Sequence, residues 1–248
     1  MSIPWEYLVS KRDIPGIKKY DIPGRKDSLS QTVLDDISQV PSTTVLPNPG
    51  GIGLEVVSSN AADAAAGTGV QTVSIHYLDT DGYEQDEIVE LGGLTPTNTV
   101  ATDIDKIQWI HAERVGTGGV AAGNITLQKQ DGTTDYSYIA AGGNQSLSAR
   151  YTVPCDKTGF ITGWVCTGTA TKRVDFRLRS TTHRVSQKSN NGIFLFQDSM
   201  MLESGSSGWR PFDIPIKVNC LDTVKVSAIA NGANADCSTS FTIVLIDN

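Results

Sequence analysis

The sequence predicts a mainly-β protein: an antiparallel sandwich or barrel over residues 51–248, preceded by an extended N-terminal arm (1–50) that carries one short helix. Three observations lead there. Beyond residue 50, short apolar or alternating runs recur with turn-forming dipeptides between them. No helical pattern separates these runs, which argues against βαβ units. The first 46 residues are proline-punctuated and lack a regular apolar period from which to build a core.

The arm opens with Trp5 and Tyr7 and continues into a charged run, KRDIPGIKKYDIPGRKD, in which Asp-Ile-Pro-Gly occurs twice, at 13–16 and 21–24. Such a segment orders when something holds it, and a partner surface is the simplest candidate. The residues expected to make that contact are Trp5, Tyr7, Lys11, Arg12, Ile14, Ile17, Lys18, Lys19, Tyr20, Ile22, Arg25 and Lys26. Pro4, Pro15 and Pro23 lower the entropy lost on ordering. Next, Ser28-Leu29-Ser30-Gln31 has the form of a capping box, and Leu29, Val33, Ile37 and Val40 recur at helical spacing until Pro41. The spacing predicts a helix over about 28–40. A helix this short needs its apolar stripe packed, on the chain's own body or on a neighbouring subunit.

In the body, the stretch 58–69 (SSNAADAAAGTG) reads as a joint or as one helical turn laid on the sheets. Val73, Ile75 and Tyr77 alternate with Thr72, Ser74 and His76, and the turn Asp79-Thr80-Asp81-Gly82 closes a hairpin. Further strands are expected at 174–179, 193–196, 214–218, 224–229 and 241–246, separated by Gly-Gly, Asp-Gly and Asn-Gly turns. Trp109 and Trp164 read as core residues of strands, and Trp209 as an exposed residue of a loop.

The net charge of −7 is uneven: residues 11–26 carry +4, while the chain beyond 46 holds 14 basic and 21 acidic residues. An acidic body speaks against nucleic acid as the main partner, and a basic arm suits an acidic protein surface. No run of 18 apolar residues occurs and no signal peptide is evident, so neither a transmembrane helix nor export is expected. The cysteines (Cys155, Cys166, Cys220, Cys237) form no C-x-x-C pair and read as reduced thiols, with bridges 155–166 or 220–237 left open.

Signatures of catalysis are not found. The run 116–119 lacks the G-K-[ST] of a phosphate loop, and 205–208 lacks the spacing of a nucleophile elbow. His76, His111 and His183 are scattered and read as structural. The acids Asp79, Asp81, Glu84, Asp86 and Glu87 gather at a hairpin tip, and D-x-D-G is only a fragment of a calcium loop. No enzyme, cofactor or metal is expected.

The segment 58–127 resembles virion structural proteins of tailed bacteriophages. The similarity lies in the small-residue run before Thr68-Gly69, in Val73-Ser74-Ile75-His76-Tyr77-Leu78-Asp79, in 87–91 with the Thr/Pro-rich loop after it, in Thr102-Asp103-Ile104 and in Gly123-Asn124-Ile125-Thr126. What the resemblance implies is a capsid decoration (cement) protein with a jelly-roll body. Its implied partners are the major capsid protein and itself, as a homotrimer, on the virion surface. A tail, baseplate or fibre-attachment component and a carbohydrate- or receptor-binding sandwich are the alternatives.

Overall fold

The computed structural model of the chain describes residues 8, 14–41, 43–168, 172–181, 193–203, 205–233 and 235–248. Contacts gather the chain into two units: one from the stretch up to Ile37 together with Ala149–Asn248, the other from Ser38–Ser148. The first unit begins with β1 (Ile17–Lys26) and β2 (Asp35–Asp36). The second holds β3 (Leu54–Ser58), β4 (Val70–Asp79), β5 (Glu84–Glu90), β6 (Thr97–Asn98), β7 (Ile104–Val115), β8 (Ile125–Lys129) and β9 (Asp135–Ile139). The first then resumes with β10 (Arg150–Thr152), β11 (Lys157–Gly168), β12 (Val174–Ser180), β13 (Leu195–Leu202), β14 (Ser207–Val218), β15 (Thr223–Ala230) and β16 (Cys237–Asp247).

In the first unit, one sheet runs β1-β16-β11-β14 and the other β10-β15-β12-β13, with β2 added on β15. All pairings are antiparallel. Leaving β2 aside and counting the eight strands along the chain, the sheets read 1-8-3-6 and 2-7-4-5. That is a jelly roll, as the resemblance implied. Its core is apolar and closed: Tyr151, Ile161, Trp164, Phe176, Leu178, Val226, Phe241 and Ile243 are all buried. Each such side chain contributes roughly 1.5–3 kcal/mol.

The structure departs from the arm and helix expected before residue 50, of which residues 1–7, 9–13 and 42 lie outside the described residues. Residues 17–26 are a strand of the body, paired along their whole length from Ile17↔Ile246 to Lys26↔Cys237. Pro23 is tolerated because β1 is an edge strand. The two Asp-Ile-Pro-Gly copies serve different ends. Gly16 takes φ 75° in the turn before β1, whereas a Cβ on Gly24 would stand 2.5 Å from that of Ala149. No helix forms over the described residues of 28–40. The Leu29 amide is claimed by Ala235 O (2.8 Å) and the Ile37 amide by Val226 O (3.1 Å), so the segment lies extended against the sheet. Leu29, Ile37 and Val40 are buried while Val33 is exposed, which breaks the helical stripe. The Ser30 hydroxyl accepts from the Thr32 and Val33 amides in a local turn, the competing use to which serines are prone. The expected single body over 51–248 is replaced by the two units, because β1 and β2 complete sheets whose other strands follow Ala149.

The second unit has sheets β6-β3-β8-β9 and β5-β4-β7 around a core that includes Leu54, Val73, Ile75, Ile104, Ile110, Ile125 and Leu127. Its ends meet at Ser38 and Ser148, whose hydroxyls bond at 2.7 Å. The alanine-rich stretch is organised by Asp63, which is fully buried. Its carboxylate accepts from the Val70, Ala122 and Gly123 amides at 2.8, 2.9 and 2.8 Å and from the Ser58 hydroxyl at 2.6 Å. Four donors satisfy the four lone pairs of one carboxylate. The β4–β5 hairpin forms as expected, with the Asp79 carboxylate accepting from the Asp81 and Tyr83 amides, both at 3.0 Å.

Candidate functional site

The outer face of the β1-β16-β11-β14 sheet carries a cleft of about 330 Å³ lined by Asp21, Thr162, Gly163, Trp164, Val165, Trp209, Ser240 and Thr242. Strand register explains why these residues meet. Asp21 pairs with Thr242, which pairs with Gly163, which pairs with Pro211; one step along, Ser240, Val165 and Trp209 form the next row. A bulge in β11 between Ile161 and Gly163 sets Thr162 and Gly163 side by side, and the missing side chain of Gly163 lets β14 approach, since a Cβ there would stand 2.9 Å from Arg210 O. Trp209 stands at the rim, 72% exposed. Opposite it, the Asp21 carboxylate accepts from the Thr242 hydroxyl (2.5 Å) and from Lys19 Nζ (2.9 Å). Burial would raise the Asp21 pKa, but those hydrogen bonds and the Lys19 charge outweigh it and hold the group lowered.

A second feature is the edge formed by β13 and β14, the terminal strands of the two sheets on one side of the jelly roll. Asp198 of β13 joins them, accepting from Trp164 Nε1 (2.9 Å) and from Arg210 Nη1 (2.5 Å). Along this edge Leu195, Phe196, Met201 and Ile214 are exposed, with Ile193 just before β13. Ile214 is 86% exposed, on the stretch of β14 where the pairing with β11 shifts from Ile161↔Ile216 to Gly163↔Pro211. Edge strands are normally guarded by charge or proline; β14 has such guards in the exposed Arg210, Pro211, Asp213, Pro215 and Lys217, whereas the exposed positions of β13 are Leu195, Phe196 and Met201.

Two charged constellations complete the inventory. On the other sheet, Arg150, Lys225 and Arg179 lie directly opposite one another across β10, β15 and β12. Asp36 of β2 holds the row together, bonding Lys225 Nζ and Ser227 Oγ (both 2.9 Å) and Arg179 Nη2 (3.4 Å). Burial pulls Arg150 down to about 10 and lowers Lys225, with the Asp36 charge opposing both. Lys225 Nζ also sits 4.0 Å over the Phe194 ring. In the second unit, His76 Nδ1 pairs with Asp86, His76 Nε2 lies 3.2 Å from His111 Nδ1, and His111 Nε2 lies 3.3 Å from Glu113. Ser74, His76 and Asp86 follow the order of a nucleophile, base and orienting acid. Yet Ser74 is 5% exposed, and its hydroxyl, at 3.4 Å from Nε2, is farther away than the His111 nitrogen. The arrangement reads as cross-strand packing, with the Trp109 ring tilted by 32° at 4.6 Å from that of His76 and the His111 ring stacked on it at 5.0 Å.

The sequence-predicted partner residues are distributed as follows. Trp5, Tyr7, Lys11 and Arg12 lie outside the described residues, as does His183. Ile14 and Ile17 are half-buried at the entry to β1, and Lys18, Lys19 and Arg25 are exposed on it. Tyr20 turns toward the core, its ring 5.9 Å from that of Tyr151, and Ile22 and Lys26 are buried. Trp164 is buried as expected; Trp209 is exposed as expected, but on a strand. The four cysteines are free thiols. The β11–β16 register sets Cys166 opposite Thr239, two residues from Cys237, and the backbone bonds of Val153 with Leu221 and Asp222 draw the segments of Cys155 and Cys220 together. Sequence reasoning missed the cleft and the cation row, because both are products of register between strands far apart in the chain.

No protein-family model matches the chain, and no curated protein matches it. Among solved structures it is similar to the infectious bursal disease virus VP2 subviral particle, at 9% identity and a TM-score of 0.24, covering 99% of this chain and 78% of that one. The Gt strain of infectious bursal disease virus gives 8% identity and a TM-score of 0.20, covering 99% and 81%. The Gx strain gives 10% and 0.24, covering 94% and 75%. Overlaps of this quality carry no argument, and none is drawn from them.

Proposed function

We propose that the protein is a non-enzymatic structural component of a virus particle, and specifically a decoration protein seated on the capsid of a tailed bacteriophage. The observation that carries this reading is the exposed apolar row of β13, with Ile214 of β14 beside it. A water-soluble unit with Leu195, Phe196, Met201 and Ile214 exposed along the two strands of one edge is built to be covered. The jelly-roll order supports it, since that architecture recurs in viral capsid and lectin domains. Fold by itself assigns no function; the edge and the resemblance over 58–127 narrow the choice.

In this account the edge joins copies of the chain into a homotrimer, and Lys18 of β1 with the basic segment before it faces the major capsid protein. Lys18 is exposed on a protein of net charge −7, suited to an acidic docking surface, while Lys19 is paired with Asp21 at the cleft. Three copies acting together turn modest single contacts into tight attachment. Light scattering on the purified full chain tests the self-association. Phe196→Asp with Met201→Asp is expected to convert a trimer into a monomer whose melting temperature is little changed, because both positions are exposed. A wild-type chain that is monomeric at high concentration contradicts the edge assignment.

A further inference from the structure

Beyond the structural role, we propose that the cleft under Trp209 is a glycan-binding subsite that takes a single neutral pyranose. It has a concave floor at Gly163, one aromatic wall, and polar groups converging from three other strands. At about 330 Å³ it lies at the lower end of small-ligand sites, the right scale for one sugar ring. The exposed Trp209 face offers a flat apolar platform for the C–H face of a pyranose. Opposite it, the Asp21 carboxylate is held in place by Thr242 and Lys19, so it is ready to accept from sugar hydroxyls without first being ordered. The hydroxyls of Thr162 and Ser240, which bond no other described side chain, add two groups able to donate or accept.

The charge pattern selects the ligand. Asp21 is the one charged residue among the lining and Lys19 balances it, so the cleft offers no net positive charge to hold phosphate, sulfate or an acidic sugar. A proline-rich peptide needs a groove walled by several aromatics, and this cleft has a single exposed one. Neutral sugar remains the chemistry that uses every wall.

The test is saturation-transfer NMR on the full chain with the methyl glycosides of glucose, galactose, mannose and N-acetylglucosamine, and with methyl sialoside as the anionic probe. Transfer to the ring protons of at least one neutral glycoside is expected, with weaker transfer to the sialoside. Trp209→Ala should weaken binding about tenfold or more and Asp21→Asn about threefold to tenfold, typical of losing a stacking face or a charged acceptor. Both variants change exposed side chains, and an unaltered melting temperature verifies that each is folded. Transfer to none of the neutral glycosides, or transfer that persists undiminished in the Trp209 variant, overturns the proposal.

Discussion

The indole Nε1 of Trp164 donates to Asp198 Oδ2 at 2.9 Å, tying the centre of one jelly-roll sheet to the edge strand of the other. Trp164 is among the largest buried side chains, and its N–H would otherwise face an apolar core. Asp198 in turn is held by Arg210 of β14, so one carboxylate joins core to edge. Removing it as Asp198→Ala strands the indole donor and frees Arg210. A loss of about 1–3 kcal/mol in urea unfolding is expected. Arg210→Ala, at a half-exposed position, is expected to cost less than about 1 kcal/mol.

Asp63 plays the corresponding part in the second unit. Asp63→Asn keeps the shape but replaces one acceptor oxygen with an NH2 group aimed at existing donors. At least two of the four donors lose their partner. The expected cost is about 3 kcal/mol or more, because hydrogen bonds to a buried charge are the stronger kind. Hydrogen exchange of the Val70, Ala122 and Gly123 amides should accelerate in the variant.

Asp36 neutralises a row of three cations that register has placed side by side. Asp36→Ala leaves Lys225 and Arg150 buried and repelling, and a loss of about 3–5 kcal/mol is expected. Pairing the change with Lys225→Met should recover much of it, which a double-mutant cycle would measure.

His76 makes stability depend on pH. Burial lowers its pKa below the ordinary 6.5; Asp86 and Glu84 oppose that shift, and His111 adds to it. A base whose folded pKa is depressed binds fewer protons folded than unfolded, so stability rises with pH through that window. The melting temperature should therefore fall as pH drops below about 6.5 toward the lowered value, and His76→Gln should flatten that slope.

Much of this fold was legible in the sequence, for identifiable reasons. The strands near 73–77, 174–179, 224–229 and 241–246 alternate or run apolar, and the Asp-Gly turn after Asp79 fixes a hairpin; all appear in the structure. Residues 17–26 were obscured because lysines and a proline on an edge strand look like a solvated arm. Leu29, Ile37 and Val40 mimic a helical stripe, yet the Leu29 and Ile37 amides are bound by Ala235 and Val226 from the other end of the chain and the Val40 amide by the Ser38 hydroxyl. The insertion of Ser38–Ser148 between β1 and β10 leaves no local trace. Trp209 could be picked out as exposed, but its cleft depends on Asp21 and Thr242 arriving through β1 and β16.

The central claim is a repeated structural role on a capsid, and the copy number of this chain relative to the major capsid protein tests it most directly. Quantitative mass spectrometry of purified particles should give a simple fraction of the head lattice. A handful of copies per particle, or none, would contradict it.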